Sequence, residues 1–478
     1  MSPATDRRWL ILAIVGAAFF MTVLDVAIVN VAIPSIQTDL NVTETTVQWV
    51  LIAYAITFGG FLLLGGRMAD LLGRKRIFLL GLVLFTVASL VCGLANNISV
   101  LIGARGVQGV GAAIISPAAL SIVTTTFEEG AERNKALGIW GALGGSGAAA
   151  GVLFGGILTQ YLGWEWIFFV NVPVGALVFA LALPFVPESR AELGHHRFDV
   201  AGAVTVTGGL ALLVYAISEA PNVGWGSART ILLLLASIAI LAVFVVIERR
   251  SSAPLVPFRI FRIRPVLGAN VVGFLLGAVI FANFLVLTLY VQQILGWSAV
   301  KTGVTFLATA GTVVIWAGVA QALTTRYGPR PVITMGMLIL AVAMLWYTQL
   351  PVDGHFWPDL LPPYLIFALG LAFGFVPVTI AALSQVAPSD AGLASGLINT
   401  SQQIGGAIGV AIASTVFNSY VNSNLGGGSS AKQVFTTGYQ HAFWALIALA
   451  LLGAVLAFVL LRGTKVEAPE GEPAQAAA

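Results

Sequence analysis

The chain has 478 residues, 58% of them apolar and only 9% charged, with a formal net charge of +3. A soluble globular protein carries about 25% charged residues. This composition therefore excludes a soluble domain and points to a polytopic helical membrane protein, and so small a net charge is no nucleic-acid signature. The single cysteine, Cys92, lies in an apolar run, which excludes an intramolecular disulfide and leaves a small core residue.

The first apolar run, 9–33, carries one acid, Asp25, and one amide, Asn30. At ~1.5 Å per residue it is roughly 37 Å long, enough to cross a bilayer with some tilt. A carboxylate inside such a span costs ~2.5–3.5 kcal/mol on insertion scales, so it is expected to face water or a partner charge. Arg7-Arg8 ahead of an apolar run also has the look of a secretory or twin-arginine leader. The run is too long for that, holds Asp25 and is followed by many further spans, so it reads as an uncleaved first span.

Further apolar runs follow at 47–66, 77–95, 100–123, 136–160, 165–186, 200–219, 228–248, 265–292, 301–323, 331–350, 360–385, 392–417 and 438–461. Fourteen spans place both termini on one side. Of the 23 Lys and Arg residues, 19 fall in one set of loops and ends, from Arg7 through Arg74, Arg190 and Arg259 to Lys465. Only Arg229, Lys301 and Lys432 fall in the other set, and Arg105 is left inside a span. The positive-inside rule makes the first set cytoplasmic.

The chain divides at two basic loops. Residues 1–186 form one six-helix unit, 187–264 an inserted helix pair with flanking cytoplasmic loops, and 265–462 a second six-helix unit. Residues 463–478 are a Glu-, Pro- and Ala-rich tail expected to be disordered. The GGGSS in the loop 418–437 suggests flexibility. The turn after the second span, GRMADLLGRKR, and the turn after the tenth, TTRYGPRP, carry Gly and Arg at equivalent places. That is weak internal symmetry of the kind transporter halves show.

Several stretches share a resemblance. GRMADLLGRKR (Gly66–Arg76), RGVQGVGAA (Arg105–Ala113), GAAAGVLFGGIL (Gly147–Leu158) and LDVAIVNVAIP (Leu24–Pro34) resemble motifs of the major facilitator superfamily. WEWIFFVNVPVG and SGLINTSQQIGGAIGVA are also similar to its fourteen-span drug:proton antiporter family. The resemblance implies an all-α fold of two six-helix bundles plus two extra central helices, and alternating access driven by the proton motive force with no cofactor. It implies a monomer in the cell membrane with both termini cytoplasmic, whose partners are a small-molecule substrate, protons and the lipid bilayer. Export of amphipathic or lipophilic organic compounds is the leading expectation. A dedicated exporter or proton-coupled importer of one metabolite is the alternative.

The residues can be weighed individually. In Gly66–Arg76, Gly66 and Gly73 permit a tight turn and close backbone approach, while Arg74, Lys75 and Arg76 also fix topology. Asp70, an acid in a basic loop, either pairs with a nearby arginine or sits against a helix N-terminus, where a negative charge is favoured by ~0.3–1 kcal/mol. The resemblance implies the latter, a cytoplasmic gate at the thirteenth span near Ser389-Asp390. Arg105 lies ~12 Å below the outer surface and Asp25 ~13 Å below it, counting helix rise along spans four and one. Contact between them, direct or through water and Gln108, is left open by the sequence. A carboxyl held between desolvation, which favours its neutral form, and an arginine, which favours its charged form, can take and release a proton. The resemblance assigns proton coupling to Asp25 and Arg105.

The fifth-span glycines, Gly147, Gly151, Gly155 and Gly156 among them, allow close helix packing. The resemblance adds the antiporter motif, from which this chain departs with Val152 in place of a proline. The last six spans carry no acid away from their ends, so the candidate lining of a substrate cavity is neutral: Asn30, Tyr54, Gln108, Asn283, Tyr290, Trp316, Asn399, Gln402 and Gln403. The adjoining His195 and His196 lack further ligands, so no metal site is expected, and no Walker-type loop points to ATP. No nucleophile–base set suggests an enzyme, and no continuous polar stripe suggests a channel.

Overall fold

The computed structural model describes residues 3–190, 199–251, 254–425 and 430–462. His195, His196, Arg197, Lys465, most of the GGGSS stretch and the tail from 463 lie outside the described residues. Fourteen helices are long and apolar enough to cross a membrane. The first six are α1 (Pro3–Asp39), α2 (Trp49–Leu72), α3 (Arg74–Gly93), α4 (Ile98–Thr126), α5 (Ala131–Tyr161) and α6 (Trp166–Phe185). The next pair is α7 (Val200–Val223) and α8 (Ala228–Arg250). The last six are α9 (Arg264–Leu289), α10 (Ala299–Tyr327), α11 (Pro329–Tyr347), α12 (Leu361–Leu383), α13 (Ala391–Asn424) and α14 (Ala431–Leu460).

These segments are helical because hydrocarbon offers the backbone no hydrogen-bond partner, so each span must bond to itself. Their ends follow local chemistry. Asn97, Ser298 and Ser430 accept from the amides of Val100, Lys301 and Gln433 and so start α4, α10 and α14. Gly73 (φ 110°) and Gly328 (φ 83°) end α2 and α10 in a conformation that L side chains rarely adopt. The two glycines occupy the same place in the two halves, a structural counterpart of the repeated loops.

The repeat extends to packing. In the first six helices α1 packs on α5, α2 on α4 and α3 on α4; in the last six α9 packs on α13, α10 on α12 and α11 on α12. The two bundles meet along two seams, α5 against α10 and α2 against α13. The pair α7–α8 joins the second seam from outside, with α7 against α2 and α13. The expected second span ended at residue 66; α2 instead continues to Leu72. Its last two turns are polar on one face only and stay helical because that face packs against the start of α13. Gly66 and Asp70 therefore lie on a helix, and only Gly73 forms the turn.

Candidate functional site

Two polar constellations stand out. The first is buried in the first bundle, around Asp25 on α1. The carboxylate and Arg105 on α4 are 0% and 1% exposed, yet both are held by polar partners. Arg105 Nη1 donates to Asp25 Oδ2 at 2.6 Å and to Gln108 Oε1 at 2.8 Å, and Arg105 Nε donates to the Val50 carbonyl at 3.1 Å. Gln108 Nε2 and Asn171 Nδ2 each donate to Asp25 Oδ1 at 2.9 Å. Ser89 Oγ accepts from both of those amides and donates to the Phe168 carbonyl. The Tyr54 ring lies 4.2 Å from the Arg105 guanidinium carbon, a cation–π contact that covers the face hydrogen bonds cannot use.

Helical spacing builds this set. Arg105 and Gln108 are three residues apart, so both point to one face of α4, while α1, α3 and α6 each supply one side chain. The arrangement satisfies an ionised Asp25: three donors and one full positive charge replace its lost water. Removing one partner from such a buried pair leaves an uncompensated charge, at a cost of ~3–5 kcal/mol. Ser89 and Asn171 were missed in the sequence. Asn171 sits within WEWIFFVNVPVG, where a lone amide near the start of an apolar span was the available signal.

The second constellation closes the basic face between the bundles. Asp70 accepts from the backbone amides of Gly392 (3.1 Å) and Leu393 (3.0 Å) at the start of α13, and from Arg74 Nη2 at 2.9 Å. Both alternatives read from the sequence hold at once, the arginine partner and the helix N-terminus. Arg74 also donates to the Pro388 carbonyl and to Ser121 Oγ. Gly66 is required here, since a Cβ on it would run into the Gly392 carbonyl oxygen and a Cβ on Gly392 into that of Gly66. Arg67 and Arg259 flank Asp390 at 3.8 and 3.2 Å. Arg133 donates to the Leu383 carbonyl, Glu129 accepts from the Gln385 amide, and Asn134 bonds Thr325. Among the described residues, every hydrogen bond between the two six-helix bundles lies on this face, so the molecule is held shut there.

Lys75 and Arg76, grouped with the gate on sequence grounds, do not cross to α13. Successive residues on a helix turn by ~100°, and these two face the other way. Lys75 Nζ donates to the Leu183 carbonyl at the end of α6, and the Lys75 and Arg76 amides donate to the Glu188 carboxylate on the segment that follows it.

The fifth-span glycines divide between two neighbours. A Cβ on Gly147, Gly151 or Gly155 would meet α1, at 3.0 Å from Val23 Cγ1, 2.6 Å from Ala27 Cβ and 2.8 Å from the Ile28 carbonyl oxygen. Gly156 turns to α10, 2.9 Å from the Val300 amide nitrogen. Val152, at the motif proline's place, is buried, and Gly303 of α10 packs against the backbone between Val152 and Leu153.

The cavity candidates are not brought together. Tyr54 and Gln108 belong to the Asp25 network. Asn30, five residues or ~7.5 Å beyond Asp25, is exposed and bonds the Val26 carbonyl. Tyr290 is fully buried and donates to the Pro351 carbonyl, which fixes the loop after α11 and leaves its hydroxyl hydrogen unavailable to a ligand. Trp316 is 39% exposed and leans on Phe373, apart from the other candidates. Asn399 is half-buried and bonds the Ser395 carbonyl, and Gln403 is also half-buried. Asn283 and Gln402 are buried on α9 and α13, with both amide atoms of Asn283 and the Gln402 Nε2 lacking a partner. Asn283 thus stands on the counterpart of α1 with no ionic network around it.

A chain of fourteen apolar spans, twelve of them in two packed six-helix bundles, with an ion-paired carboxylate buried inside the first bundle and a cross-bundle closure, is built as a secondary transporter. It belongs to the Major Facilitator Superfamily, whose profile matches residues 15–410. It is 40% identical to the puromycin resistance protein pur8 of Streptomyces alboniger, over 95% of this chain and 92% of that one. It is 37% identical to the cephamycin export protein CmcT of Amycolatopsis lactamdurans, over 94% and 92% of the two chains. The fold superposes on the crystal structure of the human organic anion transporter MFSD10 with a TM-score of 0.68 at 17% identity, covering 96% of this chain and all of that one.

Proposed function

We propose that the protein is a proton-coupled exporter of amphipathic or lipophilic organic compounds that works by alternating access. It sits as a monomer in the cell membrane with both termini cytoplasmic, and takes its energy from the proton gradient without a cofactor. The observation that carries this reading is Asp25, an acid deep in a span whose charge is balanced by Arg105, Gln108 and Asn171 inside one bundle. A carboxylate so placed has two stable arrangements, ionised within its donors or protonated and released from them. Exchange between the two couples proton binding to the packing of α1 against α4 and α6. The closed basic face then corresponds to the state that discharges substrate outward. The names of the two relatives, a resistance protein and an export protein, support the direction of transport.

A dedicated exporter of one compound is the second reading. It is favoured by the naming of both relatives for single antibiotics and by the lack of any further acid deep in the second bundle. Growth of cells with and without the protein on a panel of toxic amphipaths separates the two. Resistance to many unrelated compounds supports the first reading, resistance to one supports the second, and resistance to none overturns both.

A further inference from the structure

Across the two halves the pair α1–α6 is the counterpart of α9–α14, and α1–α6 is the looser of the two. Helix α6 stands off α1, and α5 meets α6 chiefly at Trp166–Phe169. The gap is a groove of about 600 Å³ that runs along α1 from Trp9, near the basic face, to Leu24 in mid-membrane. Ala13, Ile139 and Val174 on its rim are exposed, so it opens sideways toward the bilayer. Its lining is apolar except at the deep end, where Asn171 stands.

Asn171 is 2% exposed, and its Nδ2 is already shared between Asp25 and Ser89. Among the described residues no donor reaches its Oδ1. The oxygen is not sealed off from the groove. Asn171 lines the groove, so a donor group lying there can reach this free acceptor and satisfy it. A groove of this kind, apolar along its length with one acceptor at its end, matches an apolar body that carries a single N–H or O–H donor. A charged group is disfavoured, because Asp25 has three donors already and no other counter-charge faces the groove.

We propose that this groove is a lateral binding site for neutral amphipathic molecules bearing an N–H or O–H donor, which enter from the bilayer and bond Asn171 Oδ1. The same amide holds Asp25, so an occupant there touches the proton-carrying network directly. That link to transport rests on the exporter reading, whereas binding itself does not.

The test uses the purified full-length chain and two tritiated probes, N-phenyl-1-naphthylamine, which has one N–H, and its N-methyl derivative, which has none. One hydrogen bond to a buried acceptor predicts that the N–H probe binds roughly tenfold tighter. Asn171→Leu should equalise the two probes, and Ala17→Phe, which fills the groove from α1, should weaken both by at least tenfold. Ala17→Phe lies outside the hydrogen-bonded network, so it decides the matter even where Asn171→Leu fails to fold. Unchanged affinities in a stably folded Ala17→Phe variant overturn the site. So does native mass spectrometry showing a phospholipid that fills the groove in the wild type, is lost in Ala17→Phe and is not displaced by the N–H probe. Proton-driven export that persists while probe binding fails removes the groove alone and leaves the exporter reading standing.

Discussion

Asp25 is bound to the protein on both oxygens, by Arg105 and Gln108 from α4 and by Asn171 from α6. Asp25→Asn keeps the shape and removes titration. In inverted vesicles this variant should lose ΔpH-driven substrate accumulation at least tenfold while retaining downhill exchange. Accumulation at the wild-type level would remove Asp25 from the coupling role. Arg105→Ala leaves the buried carboxylate without its charge partner, so a destabilisation of ~3–5 kcal/mol is expected in thermal melts. In the surviving fraction ΔpH-driven accumulation should fall at least tenfold, because the carboxylate has lost the charge that holds it to α4. Accumulation at the wild-type level, measured on folded protein, would show the two charges to be uncoupled. Arg105→Lys keeps the charge but loses the fork that reaches Val50, Asp25 and Gln108 together, so it should be intermediate.

At the scale of elements, α5 is a two-faced packing rod. Its Gly147–Gly151–Gly155 row lets α1 approach to backbone contact, and Gly156 does the same for α10 at the other seam. Gly151→Leu should therefore lower the melting temperature sharply. The added side chain has the Leu24 carbonyl oxygen at 2.7 Å and no space to move into, and overpacking of this kind costs roughly 1–3 kcal/mol or more. An unaltered melt would mean that α1 and α5 separate freely and that the row is not a fixed seam. Nothing in this packing explains the motif proline's absence: Gly303 of α10 meets the backbone at Val152–Leu153.

For the molecule as a whole, the basic-face closure is the feature that biases one state. Asp70 joins the end of α2 to the start of α13 through two backbone amides, a negative charge placed at a helix N-terminus. Asp70→Asn removes that charge and should shift the balance toward opening on the basic face. Electron–electron distances between spin labels on the two bundles at that face should then broaden to longer values. An unchanged distance distribution accompanied by poor expression would instead assign Asp70 to folding.

The number of spans, their order and the division into two halves with an inserted pair were legible in the sequence. Each depends on local quantities, apolar length and the placement of Lys and Arg, which the bilayer reads one segment at a time. Asp25, Arg105 and Asp70 were also legible, because a charge is conspicuous in an apolar run or, for Asp70, in a basic loop. What covers them was not. Ser89 and Asn171 are ordinary polar residues on α3 and α6, and nothing local marks them as partners of α1. Lys75 and Arg76 differ from Arg74 only in helical phase, which the chain alone does not align against α13. The spread of Tyr290, Trp316 and Asn399 to separate places, and the gap where α6 stands off α1, follow from how whole helices pack. Such contacts join residues far apart in the chain, as Asp25–Arg105 and Asp70–Leu393 do at separations of 80 and 323, and only the tertiary structure decides them.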